Sequence, residues 1–122
     1  MFPGPPHRVV HLELRTGNAA RASAFHAELF GWSIEAVRTE GEPYLAVDLG
    51  GRVGGGIVAH ETPRPFWLPY VEVADVDVSV ARAEALGAQV LLPPREGPAG
   101  WRSVVAAPFA GVVALWQPKR EV

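Results

Sequence analysis

The sequence predicts an α+β fold of two βαβββ modules, and three observations carry that prediction. The first is repetition. Residues 9–34 run strand, turn, helix, glycine, strand (VVHLELRTGN, AARASAFHAELF, Gly31, WSI), and residues 68–92 follow the same order (LPYVEVADVD, VSVARAEAL, Gly87, AQVLL). A unit repeated over half the chain implies two equivalent modules about a pseudo-twofold axis, with a shared cleft. The second observation is period-two alternation of apolar and polar residues in the segments that flank each helical stretch. The third is punctuation: the 12 prolines and 13 glycines fall between periodic segments, as turns of a strand-rich fold do.

Each element has its own local reason. Residues 8–15 alternate, with Val10, Leu12 and Leu14 on one face and Val9, His11, Glu13 and Arg15 on the other. Asn18 is a good helix N-cap, and Ala22, Phe25 and Leu29 recur at helical spacing as the stripe expected to pack inward. Gly31 supplies the left-handed stop. Residues 32–38, 44–49 and 52–59 are the next three strands, with Gly41-Glu42-Pro43 and Gly50-Gly51 as turns. The stretch 60–65 (HETPRP) reads as a linker, so module one covers 7–60 and module two 66–118 of a single domain, 1–122.

The second module opens with a strand over 67–73. Pro69, Val71 and Val73 face one way, and Leu68, Tyr70 and Glu72 the other. Pro69 suits an edge or a strand start. Asp75 or Asp77 caps a helix through Leu86 that Gly87 ends, and residues 89–92, 102–106 and 112–117 complete the sheet. Residues 1–6 form a loose arm. In each module the helix is expected to cover the outer face of a curved sheet, leaving the inner face to line a cup.

Composition removes several classes of function. The formal charge of −2, with both signs scattered, offers no basic stripe for nucleic acid or an anionic membrane. With no cysteine among 122 residues, disulfides, thiolate metal sites and thiol nucleophiles are excluded. No apolar run has the length of a membrane span and the opening MFPGPPHR lacks a signal-peptide core, so a cytoplasmic protein is expected. Gly54-Gly55-Gly56 lacks the strand-to-helix context and the Lys-Ser/Thr of a phosphate loop, and reads instead as a strand where something approaches the backbone closely.

The phrases AFHAELFGWSIE, YVEVADVDVSVARAEALGAQVL and APFAGVVALWQP resemble the vicinal oxygen chelate superfamily, which includes glyoxalase I, extradiol dioxygenases, fosfomycin-modifying enzymes and bleomycin-resistance proteins. The resemblance covers nearly the whole chain and implies the fold strongly, whereas one such scaffold hosts many chemistries. It also implies a divalent metal held by His, Glu or Gln. Of the implied ligand positions, His11 matches, while Leu68 and Ala114 stand at two others, and RVGGGIVA (52–59) contributes no metal donor suited to the remaining one. A catalytic metal needs about three protein donors and an open position, so no metal and no cofactor are expected.

What remains is a cup with few polar groups. His11 and Glu13 share a strand face with about 6–7 Å between their Cα atoms, and are the candidate catalytic pair. Tyr70, Glu72, Trp101 and Trp116 are the candidate ligand-binding residues, with Ala114 and Trp116 on the cup face and Val113 and Leu115 toward the helices. An aromatic lining suits a planar or apolar small molecule. The expected function is therefore a metal-independent small-molecule-binding protein of the bleomycin-resistance-like type, acting as a homodimer. Its rivals are an isomerase, lyase or cyclase using His11 on an oxygenated substrate, and a degenerate interaction module.

Overall fold

In the computed structural model, which describes residues 7–38 and 44–119, the elements follow the repeated order. They are β1 (Val9–Thr16), α1 (Ala19–Phe30), β2 (Ser33–Val37), β3 (Tyr44–Asp48), β4 (Gly54–Ala59), β5 (Phe66–Glu72), α2 (Val76–Ala85), β6 (Gln89–Glu96), β7 (Gly100–Ala107) and β8 (Gly111–Pro118). The arm over 1–6 and the turn Gly41-Glu42-Pro43 lie outside the described residues. The chain divides into two compact units. One spans Val10–Leu68, and the other holds the described residues from Pro69 onward together with residues 7–9. Among the described residues no helix is long and apolar enough to cross a membrane.

Both units use one strand topology. In the first, β1 pairs parallel with β4, and β3 and β2 continue antiparallel. In the second, β5 pairs parallel with β8, and β7 and β6 continue antiparallel. A parallel pair needs a long crossover. In each module the helix and the two intervening strands supply it. The α+β architecture of two βαβββ modules read from the repeat is thus the one observed.

The helix ends form as their sequences require. The Asn18 side chain accepts from the Arg21 amide at 3.0 Å, and Gly31 closes α1 at φ 72° with its N–H on the Ala27 carbonyl. Asp75, not Asp77, caps α2, accepting from the Val78 amide at 3.0 Å. The Gln117 side chain accepts from the Val76 amide at 2.9 Å, tying the first turn of α2 to β8. Val76 and Val80 then pack with Val73 as the core of that unit.

The inward stripe of α1 differs from the expected one. Ala19 and Ala22 pack on the core of Leu14, Val47 and Ile57, while Phe25 and Leu29 stay 58% and 59% exposed. His26, four residues after Ala22, occupies the next inward turn instead. Its ring tolerates that place because Nδ1–H donates to the Ala22 carbonyl at 2.8 Å and its face stacks on Trp32.

Strand β6 runs four residues past the expected end at Leu92, through Pro93 and Pro94. Among the described residues of its unit β6 pairs only with β7, and its register shifts twice, between Val90 and Leu92 and between Leu92 and Arg95. Prolines fit there because irregular pairing asks for fewer N–H donors. The β7–β8 turn carries Phe109 at φ 63°, with its side chain fully exposed. A left-handed conformation costs a residue with a Cβ about 1–2 kcal/mol. Phe109→Gly is therefore expected to stabilise the protein by about 1 kcal/mol in urea unfolding, since the exposed ring gives up no packing.

Candidate functional site

Strand β4 decides what its neighbours can do, because three successive positions carry no side chain. Gly54 and Gly56 lie on the face shared with His11 and Glu13, opposite them across the β1–β4 ladder. Gly55 lies on the helix-covered face, where an added methyl would stand 2.7 Å from Leu49 Cγ and 2.8 Å from the Val47 carbonyl oxygen. On the first face a methyl at Gly54 would come within 2.8 Å of His11 Nδ1, and one at Gly56 would overlap the Tyr44 hydroxyl. The bare strand is what lets the Tyr44 side chain, two residues along β3 from the position that pairs with Gly56, lie across to β1.

The result is a contact of 2.6 Å between His11 Nε2 and the Tyr44 hydroxyl, with ring centroids 6.2 Å apart. Burial lowers the His11 pKa below its ordinary 6.5, and the nearby Glu13 carboxylate partly opposes that shift. The imidazole is accordingly neutral at pH 7. Glu13 is itself only 4% exposed and accepts from Arg15 Nε at 2.9 Å, so its charge is matched on its own strand. His11 and Glu13 thus share one face, as alternation requires, with Tyr44 beside His11. Tyr44 is one of the aromatics too many for so small a core to hide, but the sequence did not place it in the site. The signal at this position is the glycine run, which shows that something lies against β4 but not what.

In the second unit Tyr70, Glu72 and Trp116 also share a face. Tyr70 pairs with Ala114 and Glu72 with Trp116 across the β5–β8 ladder, and Arg102 Nη1 donates to the Tyr70 hydroxyl at 3.3 Å. Trp116 leans over Gly100, where an added methyl would stand 2.9 Å from its ring. Trp101 is not with them. It packs against the helix-side core of Val73, Val76 and Val80, under the Lys119 ammonium at 5.5 Å.

A larger aromatic group lies on the helix side of the first unit. His26 stacks on Trp32 at 5.5 Å with planes 4° apart, and Trp67 meets His26 and Trp32 edge-on at 5.7 and 6.4 Å. Phe30 adds a tilted contact to Trp32 at 4.9 Å. Leu12, Trp32, Leu49 and Trp67 line an apolar cavity of about 430 Å³. These aromatics come from α1, the segment after it and β5, so their spacing in sequence gave no pattern.

The residues do not fit the metal that the superfamily resemblance implies. Leu68 and Ala114 are both 0% exposed and offer only carbon, and β4 brings glycines and the core residue Ile57. Among the described residues no three or more His, Cys, Asp or Glu are placed to hold a metal ion.

The buried neutral imidazole has a consequence for stability. The unfolded chain takes up a proton near pH 6.5, whereas folded His11 does so only at lower pH, so the unfolded state gains protons first as pH falls. Stability present above pH 6.5 is then lost as pH falls through the folded pKa. Urea unfolding of the wild type is expected to lose more free energy over that window than unfolding of His11→Gln, in which this proton uptake is absent.

Comparison with known proteins agrees with this architecture. The family model for a glyoxalase-like domain matches residues 9–115. A Mycobacterium tuberculosis (strain CDC 1551 / Oshkosh) protein named as a glyoxylase, CFP32, is 32% identical over 119 residues, covering 91% of this chain and 46% of its own length. The Mycobacterium bovis protein of the same name matches equally, so the chain spans about half the length of these relatives. Among solved structures, methylmalonyl-CoA epimerase from M. tuberculosis superposes with a TM-score of 0.63 at 14% identity, over 92% of this chain and 88% of that one. The protein BH1468 from Bacillus halodurans C-125 gives a TM-score of 0.71 at 9% identity, over 97% and 99%. At such identities these two likenesses speak for the fold. Together with the repeated βαβββ topology, the family match over residues 9–115 establishes that this chain belongs to the glyoxalase-like domain family of the vicinal oxygen chelate superfamily.

Proposed function

We propose that the chain is a metal-independent proton-transfer enzyme acting on an oxygenated small molecule, with His11 as the proton acceptor. The observation that carries this reading is the half-buried His11, neutral at pH 7 and held by the Tyr44 hydroxyl at 2.6 Å. A general base works best when it is unprotonated at the working pH and fixed in place, and a positioned one contributes about 10²–10⁴-fold. The carbon acids that suit such a base carry a proton next to a carbonyl, because the carbonyl takes up the charge left behind. The names of the relatives, a glyoxylase and epimerases of methylmalonyl-CoA, support an isomerising reaction of that kind.

A second reading, a binder without turnover of the bleomycin-resistance-like type, is favoured by the apolar cavity between Trp32 and Trp67. In that reading the ligand sits in this cavity, and His11 and Glu13, on the opposite face of β1, turn nothing over. The protein is further read as a homodimer. Support comes from α1, which leaves Phe25, Leu29 and Phe30 between 56% and 59% exposed. Contiguous apolar surface of this kind commonly marks a protein contact.

The readings separate in one experiment. The protein is incubated in D₂O with methylmalonyl-CoA and with a panel of 2-oxo acids, and exchange of the proton next to the carbonyl is followed by NMR. Exchange that survives exhaustive chelation and falls about 100-fold or more in His11→Gln is the expected result. Exchange unaffected by that substitution, or abolished by chelation and restored by a divalent ion, would remove the enzyme reading. Tryptophan quenching without exchange would leave the binder. Sedimentation velocity is expected to give a dimer for the wild type and a monomer for the double substitution Phe25→Ser, Leu29→Ser.

A further inference from the structure

The Tyr44 hydroxyl lies 2.6 Å from His11 Nε2, and the donor in that contact follows from chemistry. A phenol O–H, with an ordinary pKa of about 10, is a far stronger acid than a neutral imidazole N–H, and an imidazole nitrogen is a better acceptor than a phenol oxygen. The ring's single proton then sits on Nδ1, since which nitrogen is protonated is set by the bond the other makes. Tyr44 comes from β3 and His11 from β1, with β4 between them in the ladder, so the two meet only across the bare backbone of Gly54 and Gly56. A side chain at either glycine would enter the space that the pair occupies.

We infer that Tyr44 and His11 form one proton-accepting pair, seated on Gly54 and Gly56, in which the Tyr44 O–H donates to His11 Nε2 and holds the imidazole as its Nδ1–H tautomer. Resting on the function proposed above, the pair moves a proton in two linked transfers. The ligand C–H bond breaks and its proton forms a new O–H bond on the Tyr44 oxygen. The proton already on that oxygen passes to Nε2. The C–H electron pair stays on the ligand as an enolate, the imidazole becomes imidazolium, and reversal returns a proton to carbon. No oxidant or reductant is needed. Tyr44 is then the group that meets the ligand, and His11 acts through it.

The test begins without any ligand, by ¹⁵N NMR of the imidazole nitrogens in the wild-type protein. The expected spectrum for His11 has a protonated Nδ1 and an unprotonated Nε2, and the opposite assignment overturns the inference. Tyr44→Phe is expected to shift His11 toward the Nε2–H form. Gly56→Ala, which keeps the hydroxyl but displaces it, is expected to do the same, while Gly17→Ala, with nothing near its added methyl, leaves the spectrum unchanged. A merely structural tyrosine would not move the tautomer, so an unchanged His11 in Tyr44→Phe also overturns the pairing. Should either variant fail to fold, the wild-type spectrum decides alone. The D₂O exchange assay keeps the two readings distinct. The expected tautomer with equal loss of exchange in Tyr44→Phe and His11→Gln supports the pair in full. Exchange that persists in Tyr44→Phe but is lost in His11→Gln overturns the pair and leaves His11 as the base. The expected tautomer with no exchange of any probe supports the seat and defeats the proposed function.

Discussion

The absence of side chains at Gly54, Gly55 and Gly56 is the constraint from which the first unit is built. A strand normally fills both its faces, and a glycine in place of alanine costs roughly 0.5–1 kcal/mol in chain entropy. Here the gap on one face admits Leu49 and the Val47 carbonyl, and the gap on the other admits His11 and Tyr44. The strand therefore serves as a floor for two unrelated packings at once. A Cβ at any of these three glycines would displace either the core below or the polar pair above.

The two units share a topology but not a content. Each opens with a strand that pairs parallel with the last strand of its own module, under one helix. On that frame the first unit places His11, Glu13 and Tyr44, and the second Tyr70, Arg102, Glu72 and Trp116. Leu68 and Ala114 carry only carbon at positions where the superfamily resemblance implies metal donors. The fold is that of the superfamily, and the proton chemistry proposed above rests on the polar groups that remain.

Two polar groups in the first unit, Glu13 and His26, are satisfied locally. Arg15 neutralises Glu13 from the same strand, and His26 returns its ring N–H to the carbonyl one turn back. Such short-range pairing lets a carboxylate and an imidazole sit among apolar neighbours without a large desolvation cost. It also explains how a histidine, rather than the phenylalanine beside it, turns toward the sheet from α1.

Much of this protein was legible in the chain alone. The β-strand period placed His11 and Glu13 together and set Tyr70 and Glu72 opposite Val71 and Val73, because side-chain direction along a strand depends only on residue parity. Caps at Asn18 and Gly31 were legible because each acts within one helical turn, while the sequence left Asp75 and Asp77 as two candidates for α2. What only the tertiary structure decided were meetings between elements: Tyr44 with His11 across β4, Trp67 with Trp32 and His26, Trp101 in the helix-side core, and the outward turn of Phe25 and Leu29. Local periodicity says which face a residue is on. Which distant residue shares that space depends on strand order and on how closely a helix approaches the sheet, and these arise only when the whole chain packs.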